Sequence, residues 1–170
     1  MIMKLEYQTL LPTDISKSSR VWIYQATRIF SIQEALEIED RLEQFTQNWQ
    51  SHGAPVKAVG LLLFGQFIVL IADETTIPVG GCSTDSSVRE IKKIEQVYGV
   101  GLFDRTQLAF IIKDKVEILP IAQFEYAFEK NFLTKDTLYF NNTVGHLAEF
   151  ENNWIIPIEK SWLQKKINNR

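Results

Sequence analysis

Between residues 56 and 72 the chain is apolar almost without a break: residues 56–64 and 67–72 form two runs joined at Gly65-Gln66. Short apolar runs on either side of a glycine turn are the pattern of a β-hairpin. Residues 67–72 (FIVLIA) and 108–112 (LAFII) are apolar at every position. A strand with one wet face alternates apolar and polar side chains, so strands of this kind are covered on both faces. The sheet therefore needs helices on one side and a second cover on the other. The C-terminal segment is the expected cover, with a homodimer across the sheet as the alternative.

The elements around the hairpin follow the same logic. Val21-Trp22-Ile23-Tyr24-Gln25-Ala26 is rich in β-branched and aromatic residues and reads as a strand. Ser31 and Glu34 have the S-x-x-E spacing of a capping box, which opens a helix. Ile32, Ala35, Leu36, Leu42, Phe45 and Trp49 follow at helical spacing as its expected buried stripe, and Gly53 and Pro55 stop it. A second helix is predicted to begin in the tract Ser83-Thr84-Asp85-Ser86-Ser87, with Val88, Ile91, Ile94 and Val97 on one face and Gly99 and Gly101 at its end. Residues 107–112 form a further strand, with Lys113-Asp114-Lys115 as a turn. Strand, helix, strand, strand, helix, strand is the order of a ferredoxin-like βαββαβ fold, so the expected class is α+β. The expected organisation is a lead-in over 1–19, the ferredoxin-like core over 20–115, a small α/β subdomain over 116–163 and a frayed basic tail over 164–170.

Composition narrows the function classes. An apolar fraction of 45% with 23% charged residues is that of a chain able to bury a core. The formal net charge of −3 lacks the basic footprint that phosphate backbones attract, which argues against nucleic acid as a partner. Trp22 and Tyr24 resemble the aromatic strand of an RNA-recognition domain, but residues 65–70 offer only one aromatic and no basic flank for a second motif. RNA binding is therefore the last of three readings. No apolar run approaches the roughly 20 residues of a membrane helix, and no signal peptide follows Lys4. The expectation is a cytoplasmic protein without a membrane partner.

One cysteine, Cys82, excludes an internal disulfide and a thiolate zinc cluster. No G-x-x-x-x-G-K-[ST] phosphate loop is present, and no cofactor or metal is predicted. The βαββαβ order brings the loop after the first helix and the loop before the second to one end of the sheet. His52, Asp73, Glu74, Gly81, Cys82, Ser83, Asp85, Ser86 and Ser87 then share an edge, with Arg28 at the opposite end. Cys82 ahead of a helix start would feel the positive end of the dipole and act as a nucleophilic or redox thiol, with His52 as base. The glycines and hydroxyls suit an anion, and the acids suit a hard cation. The plainer reading makes Cys82 inert, the hydroxyls helix caps, and the acids a solvated strand end.

Two resemblances add to this. Residues 21–105 carry W-I-Y, the W-x-x-H-G of Trp49 to Gly53, Asp73-Glu74 and the G-C-S-x-D-S-S-V of Gly81 to Val88; with Phe103-Asp104-Arg105 and residues 136–142 they resemble a family of uncharacterised bacterial proteins. Some members are labelled ABC-transporter ATPases, a label that the missing phosphate loop does not support, and the resemblance implies no activity. Residues 119–154 also resemble peptide-binding modules of the GYF type. The expected function is a non-catalytic binding or assembly protein that meets a protein partner or itself through the apolar sheet face. The alternative is a small enzyme or ligand-binding protein with its site at the His52/Cys82 edge.

Overall fold

The hairpin at the centre of the sequence is also the centre of one sheet. In the computed structural model, which describes residues 7–168, strand β4 (Lys57–Leu63) pairs antiparallel with β5 (Phe67–Asp73), Leu63 opposite Phe67. The connection is the three residues Phe64, Gly65 and Gln66, so Phe64 belongs to the turn, at φ 55°. Strand β1 (Arg20–Gln25) pairs with the other edge of β5, giving the order β1-β5-β4. Helix α1 (Ile32–Asn48) begins at the predicted capping box: the Glu34 amide donates to Ser31 Oγ at 3.2 Å, and the Ser31 amide donates to Glu34 Oε2 at 2.8 Å. A two-residue hairpin follows, β2 (Gln50–Ser51) with β3 (Ala54–Pro55). Helix α2 is Gly81–Tyr98.

The class is α+β. The three strands have the order first, third, second of a βαββαβ unit, but the predicted fourth strand is elsewhere. Residues 107–112, as β6 (Gln107–Ile112), lie in a separate sheet of order β7-β6-β8-β9 with β7 (Lys115–Pro120), β8 (Leu138–Phe140) and β9 (Ile155–Pro157). Two local causes are visible. The edge of β1 where a fourth strand would pair is met at its start by residues 145–148: the Val21 amide donates to Gly145 O and the Leu147 amide to Ser19 O, both at 2.9 Å. Lys113 and Asp114, at φ 51° and 62°, form a tight two-residue turn that commits β6 to β7.

The chain accordingly divides into two compact units, residues 11–104 with 145–148, and residues 7–10 with 105–144 and 149–168. The predicted boundary at 115/116 thus lies ahead of β6 instead. In the second unit α3 (Phe124–Glu129) and α5 (Gln164–Asn168) flank the four-stranded sheet's core of Leu108, Phe110, Phe124, Leu133, Tyr139, Ile158 and Leu163. The tail predicted to fray is helical over Gln164–Asn168. Helix α4 (Leu147–Asn153) carries Phe150, whose ring stacks on Trp154 at 4.6 Å. The readings of residues 1–6 and of the last two residues lie outside the described residues.

In the first unit, Ile38 and Leu42 of α1 and Ile91 and Ile94 of α2 pack with Tyr24, Ile68 and Leu70 in one buried cluster. Gly60 sets the approach of α1 to β4: a Cβ there would lie 2.9 Å from the Cβ of Leu42. Phe67, Val69 and Ile71, which alternate with Ile68 and Leu70, are buried as well, so all of β5 is covered within one chain. On the sheet face expected to meet a partner, the central strand is therefore covered, while Ile23 of β1 and Val59 and Leu61 of β4 beside it are half-buried.

Candidate functional site

The β2–β3 hairpin and the start of α2 are joined by a set of short hydrogen bonds. His52 and Gly53 occupy its two turn positions at φ 52° and 77°, the pair of left-handed residues that a tight hairpin of this hand requires. Trp49 Nε1 donates to the Ser83 carbonyl at 2.9 Å, and Ser83 Oγ donates to the Gln50 carbonyl at 2.9 Å. Ser51 Oγ donates to Pro78 O at 2.7 Å and receives the Gly80 amide at 3.4 Å. His52 lies against Gly80, where a Cβ would come within 3.1 Å of its Nε2. The sequence-predicted loops are thus side by side at the start of α2.

The individual residues have modest roles there. Gly81 and Cys82 are the first two residues of α2, not a loop ahead of it; Cys82 is exposed and makes no hydrogen bond to His52 among the described residues. The hydroxyls are engaged by the helix itself: Thr84 Oγ1 bonds Gly80 O, Ser86 Oγ bonds Ser83 O, and Ser87 Oγ bonds Thr84 O. Asp85 is exposed. The N-cap, Gly80, gives α2 no side-chain cap.

Asp73 and Glu74 work at the end of β5. The Asp73 carboxylate accepts the Thr75 hydroxyl and amide and the Ser16 amide, and these bonds, the Thr75 hydroxyl foremost, hold it below the usual carboxylate range. Glu74 pairs with Arg20 at 3.5 Å, and Arg20 lies over the Trp22 ring. No group of three His, Cys, Asp or Glu among the described residues could hold a metal ion. Arg28 is at the other end: it grips Glu34 with both Nη atoms and donates to Tyr98 O at the last turn of α2. Trp22 meets Trp49 edge-on, and the buried Tyr24 meets Phe103; an RNA platform would need such rings open for stacking.

A second surface was misplaced by the sequence reading. The buried residues of α1 are Ile38, Leu42 and Thr46. Ile32 and Leu36, expected in that stripe, are 83% and 62% exposed, and Ile29 just ahead of the helix is 64% exposed. At 3.6 residues per turn Ile32 and Leu36 lie about a third of a turn from the Ile38–Leu42 line. Glu39, Asp40 and Glu43 continue their stripe, all exposed. The signal was present in the spacing, since Ile32 and Leu36 fall on a different side of the helical wheel from Ile38, Leu42 and Trp49.

In the second unit, Phe124, Phe128 and Ile167 line a cavity of about 270 Å³ edged by Glu125, Glu129 and Lys166. No family model, curated protein or solved structure matches this chain.

Proposed function

We propose that the chain is a non-catalytic binding or assembly protein of the cytoplasm, and that it docks a protein partner on the solvent side of α1. One observation carries the reading. Ile32 and Leu36 project apolar surface into water from a helix whose buried residues are Ile38, Leu42 and Thr46, and Ile29, three residues ahead of Ile32, is exposed as well. Single exposed apolar side chains are ordinary, whereas several close in sequence on one side of a helix suit a contact surface. On this reading the first unit is a ferredoxin-like scaffold whose fourth strand is replaced by residues 145–148, and its work is to hold α1 rigid.

The test is a photo-crosslinking residue placed at Leu36 in cells, compared with one at Lys92 on the exposed side of α2. A discrete protein adduct at 36 and not at 92 is the expected result; equal labelling, or none at 36, defeats the reading.

The alternative, an enzyme or ligand site at the His52/Cys82 edge, draws on Cys82 being exposed in the first turn of a helix that no side chain caps. Iodoacetamide labelling that far outpaces a free cysteine, and slows in His52→Ala, would put this reading first.

A further inference from the structure

Resting on the α1 docking reading, we infer that the partner is a basic amphipathic helix, seated with apolar residues on Ile29, Ile32 and Leu36 and with Lys or Arg side chains over Glu39, Asp40 and Glu43. Charge selects this occupant. Helix α1 carries Glu34, Glu37, Glu39, Asp40 and Glu43 against a single base, Arg41. Arg41 is already paired with Glu90 of α2 at 3.3 Å, and Glu34 is already paired with Arg28. Glu39, Asp40 and Glu43 make no ion pair among the described residues; Asp40 and Glu43 accept only the neutral amides of Gln44 and Gln47.

These three acids share the stripe of Ile32 and Leu36, so one partner lying along α1 meets apolar surface first and negative charge next. From Ile32 to Glu43 the rise is about 16 Å, the span of three helical turns. A partner helix of that length reaches both parts, which is the apolar-anchor mode of helix recognition with a charged continuation. The same charge disfavours other occupants. A second copy of this face would set acids against acids, and nucleic acid or an anionic membrane would be repelled. Helix α2 offers no such bias, with Asp85, Glu90 and Glu95 balanced by Arg89, Lys92 and Lys93.

The experiment uses the full chain and two synthetic helical peptides of about four turns with the same Leu face, one with Lys and one with Glu at the polar positions. Fluorescence anisotropy measures each, and flotation with vesicles of phosphatidylserine and phosphatidylcholine is the third arm. The expected result is binding of the Lys peptide at least about tenfold tighter than of the Glu peptide, weakening as salt rises. Leu36→Gln should weaken it about tenfold, and Glu39→Gln/Asp40→Gln/Glu43→Gln should remove the preference, with circular dichroism showing both variants folded. Equal binding of the two peptides, lost in Leu36→Gln, overturns the basic partner and leaves the docking surface standing. Binding of neither peptide, or binding that ignores Leu36→Gln, overturns both. Vesicle binding that exceeds peptide binding overturns the protein partner in favour of a membrane surface.

Discussion

The start of α2 and the solvent side of α1 belong to the same unit and invert what their sequences suggest. At the start of α2, the hydroxyls are tied to neighbouring backbone: Ser83 to Gln50, Ser86 and Ser87 to their own helix, Ser51 to Pro78. On α1, residues of the type that builds cores stand in water beside acids that make no ion pair among the described residues. Residue type alone thus misassigns both surfaces. The deciding quantities are whether a polar group already has its partner and whether an apolar group is already covered.

The comparison can be broken from its strongest side first. Leu42→Ala cuts the buried side of α1 and should lower stability by about 2–5 kcal/mol in urea unfolding; a small loss would mean that α1 is not held by this contact. Ser83→Ala leaves the Gln50 carbonyl without its side-chain donor and should cost about 1–3 kcal/mol, which separates a structural hydroxyl from a catalytic one.

A third prediction concerns pH. The Arg28 guanidinium, followed by the Ser31 amide, holds the Glu34 carboxyl at about 2 against an ordinary 4.5. A carboxyl lowered on folding contributes stability that is complete above its unfolded value and is lost as pH falls through the folded one. The gap in stability between the wild type and Glu34→Gln should therefore close between pH 4.5 and about 2. The Glu34 carboxyl resonance should titrate at the low end of that window, and in Arg28→Gln it should titrate higher. A midpoint near 4.5 in the wild type would show that the pair does not form in solution.

The smallest effects sharpen the contrast most. Ile32→Gln/Leu36→Gln should change stability by no more than about 0.5 kcal/mol per site, because surface substitutions remove no packing. A loss comparable with that of Leu42→Ala would return both residues to the core. Cys82→Ser should leave fold and peptide binding unchanged, as measured by thermal unfolding and anisotropy.

Much of the fold was legible because local signals were strong. The capping box placed α1 to the residue, and the apolar runs around Gly65 placed β4 and β5. Strand β7 (Lys115–Pro120), where Val116, Glu117 and Ile118 alternate, was not assigned separately within the subdomain expected over 116–163. The home of β6 was not legible. Its sequence fits a covered strand in either sheet, and the residues that meet the start of β1, 145–148, lie far along the chain. At the candidate edge the juxtaposition of the hairpin with α2 followed from topology, while the partner of each hydroxyl depended on atomic geometry that no spacing encodes.

That closure of β1 also sets a timetable for synthesis. Every other part of the first unit has been synthesised once residue 104 is made, yet the segment that pairs with the start of β1 is about 40 residues further on. At roughly 5–20 residues per second this leaves the start of β1 without that pairing for about 2–8 s. An unpaired strand is a template for pairing with another chain, so the interval is when a nascent molecule is most exposed to a neighbour on the same message. Slow translation over residues 105–148 would be expected to lower the soluble yield, with no change to the finished molecule.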